Sequence, residues 1–273
     1  MVQWFPGHMM KAKKEMEEVL KVIDIVLELI DARIPSSSQN PLFHDILKNK
    51  PRLFLLTKST LADDKITKQW LHRFEEEGKP TLIIDAISGF QVNRITGACR
   101  TVLHEKIERE LARGMKKRPI RAMVIGVPNV GKSTLINQLV RKKVSMVGNK
   151  PGVTKAQQWI RINQDLELLD TPGVLWPKFE DPIQGYHLAL TGAIRDEILK
   201  TDELALYLLH FLKEHYPSVL SQKYTIYVED DVAIMLGKIR AIKGLQEVDQ
   251  NRVYEVLIKD FRSGILGRIS LDW

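Results

Sequence analysis

The chain alternates short, wholly apolar runs with longer segments in which apolar positions recur every three or four residues. Ile25-Val26-Leu27-Glu28-Leu29-Ile30, Leu53-Phe54-Leu55-Leu56, Thr81-Leu82-Ile83-Ile84 and the run Ile120 to Ile125 each predict a buried strand. Two more strands are expected at 159–162 and 166–169. Between them the pattern predicts a first helix ending near Lys21, then Pro41 to Lys48, Thr67 to Glu77 and Val92 to Ala112. A further helix carries Leu135, Ile136, Leu139 and Val140 on one face. Strands that are apolar throughout and alternate with helices indicate an α/β fold, a parallel sheet covered on both faces. After Trp176 the period becomes helical alone, with Leu204, Leu208 and Phe211 on one face and Val253, Leu257 and Phe261 on another. Pro177, Pro182 and Gly185 mark the change, which divides the chain into 1–177 and 178–273.

One apolar run leads into a chemical motif. Gly126-Val127-Pro128-Asn129-Val130-Gly131-Lys132-Ser133 follows a predicted strand and opens a predicted helix, the context a phosphate-binding loop requires. Its glycines let the backbone wrap a phosphate, so that the N–H groups of Asn129 to Thr134 point inward at a helix's positive end. Lys132 supplies a point charge to the β- and γ-phosphates, and the Ser133 hydroxyl is a Mg²⁺ ligand. Asp170-Thr171-Pro172-Gly173, at the end of a later strand, matches the second phosphate-site motif of a P-loop NTPase. Asp170 would hold Mg²⁺ through water, and the Gly173 N–H would meet the γ-phosphate. Thr154, on the turn-rich loop between, is the candidate switch residue, with its hydroxyl on Mg²⁺ and its carbonyl sensing the γ-phosphate.

Five stretches, Trp4-Phe5-Pro6-Gly7-His8-Met9, Asp31-Ala32-Arg33-Ile34-Pro35, Gly126 to Ser133, Asp170 to Gly173 and Leu175-Trp176-Pro177-Lys178, closely resemble the ribosome biogenesis GTPase A (YlqF-type) family. The likeness covers nearly the whole chain and weakens after about residue 220. It implies a P-loop NTPase fold, a circularly permuted Ras-like GTPase domain with a carboxy-terminal helical domain. The base-reading motif, NKxD in the translation-factor class of GTPases, then lies upstream of the phosphate loop at Thr57-Lys58-Ser59-Thr60. Old termini that lie close together can be joined and new ends opened on an exposed loop without altering the packed sheet. Here the helical segment is attached directly behind the second switch. The family resemblance further implies GTP and GDP as ligands and action late in maturation of the large ribosomal subunit. It also implies binding of ribosomal RNA through the helical domain.

One departure from the family pattern stands out, and catalysis has a gap of its own. Thr57 and Thr60 occupy the motif's Asn and Asp positions, and a neutral hydroxyl does not replace a bidentate carboxylate. Asp63 and Asp64 lie nearby at the wrong spacing, and groups around Asp85-Ala86-Ile87 are the other candidates for reading the base. Val174 stands where Ras-like enzymes place a water-orienting Gln, which predicts slow unassisted turnover. In the resembling family the substitute is an amino-terminal histidine, here His8, and the phosphate-loop Asn, here Asn129, is associated with K⁺. His8 has a second reading, as a structural residue of the Pro6-Gly7 turn. The whole chain likewise keeps an alternative, a nucleotide-binding assembly module with poor turnover or relaxed base specificity.

Composition narrows the setting. At 273 residues and 44% hydrophobic, the chain can bury a sizeable core, and no apolar run approaches the roughly 18 residues of a membrane span. The start lacks a charged region followed by an apolar one, so no signal peptide is expected. Cys99 is the only cysteine, which excludes an intramolecular disulfide, and the seven histidines form no HExxH pair. A cytoplasmic monomer is expected. The net charge of +7 favours polyanionic partners. Lys238, Arg240, Lys243, Arg252, Lys259 and Arg262 could form an RNA face or an ordinary solvated helix surface.

Overall fold

The computed structural model describes residues 17–47, 50–141, 159–170, 181–194, 199–246 and 250–273. Six strands form one sheet in the order β3-β2-β1-β4-β6-β5. They are β1 (Ile25–Asp31), β2 (Arg52–Thr57), β3 (Thr81–Ile83), β4 (Ile120–Gly126), β5 (Trp159–Asn163) and β6 (Leu166–Asp170). The pairings β1 with β2, β1 with β4, β2 with β3 and β4 with β6 are parallel. β5 departs from the expected parallel arrangement and runs antiparallel to β6. The two are joined by a tight turn at Gln164-Asp165, where Asn163 Oδ1 accepts the Asp165 N–H at 2.8 Å. So short a connection permits only an antiparallel pair.

Helices α1 (Pro41–Leu47), α2 (Asp64–Glu76), α3 (Ile95–Val102), α4 (His104–Ala112) and α5 (Lys132–Arg141) connect the strands. α2 starts three residues before the expected Thr67, because the Asp63 carboxylate accepts the Lys65 and Ile66 N–H groups and caps it. The single helix expected over 92–112 is instead a short turn, Val92–Arg94, followed by α3 and α4, with buried Leu103 at the break. The break follows Thr101 and Val102, whose β-branched side chains weaken a helix.

Alternation along β1 sorts the core. Ile25, Leu27 and Leu29 join Leu53, Leu55, Val124 and Leu168 on one face. On the other face Val26 packs with Phe43, Met123 and Ile125, whereas Ile30 packs with Phe54, Trp70 and Phe74. Glu28 lies between those two clusters on the same face, 2% exposed, with Arg52 Nη1 at 3.4 Å. Burial outweighs the Arg52 charge and pushes its carboxyl up to about 7.

The carboxy-terminal helices are α6 (Pro182–Leu190), α7 (Thr201–His215), α8 (Pro217–Tyr224), α9 (Val232–Lys243) and α10 (Gln250–Arg262). Leu204, Leu208 and Leu212 of α7 and Val253, Leu257 and Phe261 of α10 are buried in the apolar cluster that also holds Leu27 and Val124. After α10 the chain returns to the sheet. The Ile269 N–H donates to Leu61 O at 3.0 Å and the Leu271 N–H to Arg33 O at 2.7 Å. Arg268 donates to Ala62 O at 2.7 Å and Ser59 O at 3.0 Å. The Asp272 carboxylate accepts the Ser37 N–H at 2.6 Å and its hydroxyl at 2.7 Å, with His187 Nδ1 at 2.6 Å.

Asp272→Ala should therefore cost about 3 kcal/mol in urea unfolding, since it strands buried donors on two separate elements. Glu28 gives a second test. Its folded pKa is raised, so the folded state holds the extra proton and the stability it confers is present below about 4.5. That stability is lost as pH rises towards about 7. Glu28→Gln should be more stable than the parent above pH 7, by about 1–3 kcal/mol, and the gap should close as pH falls below about 4.5.

Candidate functional site

The phosphate loop leaves the carboxyl end of central strand β4, where open α/β sheets place their ligands. Gly126 has φ +152°, and a Cβ there would lie 2.8 Å from Leu29 O and 2.9 Å from Val130 Cγ1. Gly131 has φ +109°, and Asn129 adopts the left-handed conformation at φ +55°. Lys132 opens α5, and its ammonium bends back to donate to Gly126 O at 3.2 Å and Val127 O at 3.0 Å. Ser133 and Thr134 follow in the first turn with exposed side chains. The strand-end register sets Asp170 of β6 opposite Val124 of β4, two residues before Gly126. His8, Thr154 and Gly173 lie outside the described residues, and so does the Asp170 side chain.

The base-reading segment leaves β2 beside this loop. Buried Thr57 donates its hydroxyl to Val130 O at 2.8 Å and lies 3.2 Å from Ile30 O, so it joins β1 to the phosphate loop. Lys58 has φ +54°, and its ammonium meets Asp31 Oδ2 at 2.9 Å. Burial lowers the pKa of Lys58, with the Asp31 charge opposing. Burial also works against ionisation of Asp31. The charges of Arg33 and Lys58 overcome it and hold the carboxyl well below the usual carboxylate range. Arg33 approaches Asp31 with Nε at 3.0 Å and Nη2 at 2.7 Å. This buried triad ties the Asp31-Ala32-Arg33-Ile34-Pro35 segment to the base-reading loop.

Asp63 and Asp64 are both engaged by other partners. Asp63 caps α2, and exposed Asp64 pairs with Lys68 at 2.6 Å and Arg268 at 3.3 Å. Thr60 instead donates its hydroxyl to Asp85 Oδ2 at 2.7 Å. Ala86, next to Asp85, is buried, and Ile87 beyond it is 82% exposed. Sequence reasoning named Asp85 and Ala86 but did not join Asp85 to Thr60, which lies 25 residues away on a different strand end.

The helical segment also reaches the phosphate loop. Asn129 Nδ2 donates to Gly192 O at 2.6 Å, just beyond α6. Arg262 of α10 donates to Leu190 O at 3.0 Å and Ala189 O at 2.7 Å, covering the same helix end. Of the six basic residues weighed for an RNA face, Arg262 is thus engaged internally. Lys238 pairs with Asp230 at 2.6 Å and Lys243 with Asp260 at 2.5 Å, while Arg252 and Lys259 are exposed. A cavity of about 300 Å³ beside Asp24, Lys106 and Arg118 lies at the opposite, amino-terminal end of the strands, away from this chemistry.

Comparison with known proteins agrees with this geometry. Residues 121–241 match a family model described as 50S ribosome-binding GTPase. The chain is 48% identical to ribosome biogenesis GTPase A of Bacillus licheniformis, over 99% of this chain and 98% of the relative. It is 36% identical to mitochondrial ribosome-associated GTPase 1 of Mus musculus, over 99% and 90% respectively. Among solved structures, GNP-bound YlqF from T. maritima superposes with a TM-score of 0.63 at 25% identity, covering 95% of this chain and 97% of that one. With its phosphate loop, permuted strand order and full-length identity to these relatives, the chain belongs to the ribosome biogenesis GTPase A family.

Proposed function

We propose that the protein is a GTP-binding and GTP-hydrolysing assembly factor that acts in late maturation of the large (50S) ribosomal subunit, in the cytoplasm and as a monomer. The observation that carries this reading is the Thr57–Val130 hydrogen bond, which sets a base-reading loop against a phosphate loop in a chain otherwise close to ribosome biogenesis GTPases. Among the described residues no helix is long and apolar enough to cross a membrane. Contact with ribosomal RNA falls to the helical segment, where Arg252 and Lys259 offer exposed positive charge.

In this reading the backbone N–H groups of 129–134 cradle the phosphates, and Lys132 turns from its loop carbonyls to the β- and γ-phosphates. The exposed Ser133 hydroxyl, with Thr154 and Asp170, makes an all-oxygen donor set suited to Mg²⁺, which neutralises phosphate charge. Asn129 is the residue that would face K⁺, which requires its side chain to serve both that ion and Gly192 O. His8 orients the attacking water that Val174 leaves unserved. The Gly173 N–H and Thr154 carry loss of the γ-phosphate along 174–178 to the helical segment.

Two outcomes test the proposal. Lys132→Ala should weaken GTP binding at least about hundredfold in calorimetric titration while the melting temperature changes little. GTP turnover should be slow for the protein alone and should rise when purified large subunits are added, an effect that fades with increasing salt. Equal turnover with and without subunits would instead leave a nucleotide-binding module without ribosomal activation.

A further inference from the structure

The guanine-reading motif of this chain lacks its carboxylate. Position 60 is threonine, Asp63 is engaged in capping, and Asp64 is paired at the surface. Asp31, at the end of β1 beside this loop, is held by Arg33 and Lys58. One carboxylate remains within a single hydrogen bond of the vacant role. Asp85 Oδ2 accepts the Thr60 hydroxyl at 2.7 Å, and Asp85 Oδ1 accepts the Ser88 N–H at 2.7 Å.

We propose that the Thr60–Asp85 pair reads guanine, with the charge supplied from Asp85 and the contact surface shared with the Thr60 hydroxyl. Because the Thr60 proton points to Asp85, the lone pairs of Thr60 Oγ1 face away from the carboxylate. Thr60 is exposed and Asp85 is 2% exposed, so the hydroxyl stands between the buried charge and an incoming base. The pair presents the lone pairs of Thr60 Oγ1, polarised by the carboxylate behind them, at the position where the family motif presents a carboxylate. Guanine offers two donors on that edge, the ring N1–H and the exocyclic amine. Adenine offers a ring nitrogen lone pair there, which the same acceptors repel. Hydrogen bonds from Thr60 and from the Ser88 and Ile87 backbone overcome burial and keep Asp85 below its ordinary pKa, so the charge persists at neutral pH. Ile87, 82% exposed on the rim, gives the base an apolar flank.

This inference rests on the GTP reading above, and the test separates the two. Dissociation constants for GTP and ATP, both with Mg²⁺, are measured for the parent, Asp85→Asn, Thr60→Val and the exchange variant Thr60→Asp with Asp85→Ser. The parent should prefer GTP at least about a hundredfold. Asp85→Asn and Thr60→Val should each cut the GTP-to-ATP preference about tenfold or more with ATP affinity little changed. A purely structural loss would lower both affinities together. The exchange variant, which moves the carboxylate to position 60 and the hydroxyl to 85, should restore the preference even if the single variants fold poorly. A parent that prefers GTP while Asp85→Asn keeps the full preference overturns the pair's role and leaves the GTP reading standing. A parent with no preference overturns both. A folded exchange variant without guanine preference overturns the pair's role as well.

Discussion

Everything this molecule can do with a nucleotide depends on the parallel pairing of β1 with β4. The phosphate loop lies at the end of β4, and the base-reading loop follows β2, which pairs with the other side of β1. In sequence the two loops are separated by 65 residues and three helices; in space β1 alone separates their strands. Ladder hydrogen bonds fix the relative height of the strand ends, and Thr57 then adds a side-chain bond across them to Val130 O. A shift of one residue in the β1–β4 register would carry the core face of β1 to the wrong side and unseat the Gly126–Leu29 contact. The geometry of the site is thus inherited from a hydrophobic constraint.

The carboxy-terminal segment is part of the same assembly. Its last residues lie along the base-reading loop, through Arg268 at Ser59 O and Ala62 O and through Ile269 at Leu61 O. Its first helix ends against the phosphate loop, through Gly192 O and Asn129. The helical segment therefore touches both nucleotide loops, one from each end. Any movement of those loops has a direct mechanical route to α6 and α10, through hydrogen bonds with discrete partners.

Polar groups at the site occur as interlocked sets, although Arg33 Nη1 in the first of them is buried with no hydrogen-bond partner among the described residues. Asp31 takes both Arg33 and Lys58 as partners under cover, and Asp272 gathers Ser37 and His187. Each set leaves a severe cost if one member is removed, which gives a single arrangement of the loops. The unusual residues Thr57 and Thr60 fit this logic. Thr57 supplies a bond to the phosphate loop, and Thr60 connects to the carboxylate found at position 85.

Much of this was open to a reader of the sequence. The strand runs around Ile25, Leu53 and Ile120 are apolar enough that no other structure would bury them, and the phosphate loop declares itself through glycines with one physical purpose. The amphipathic faces of α7 and α10 follow from the period of their leucines. Other features had a slight local signal or none. The direction of β5 followed from a two-residue turn, and the break near Leu103 from β-branched Thr101 and Val102 together with the burial of Leu103. The pairing of Thr60 with Asp85, and the return of Arg268 to Asp272 onto the base-reading loop, join residues 25 and about 200 positions apart. Such contacts are set by which strand ends and helix ends the packed core brings together. Periodicity specifies which face of an element is buried, but the partner on that face is decided only when the sheet closes and the helices settle on it.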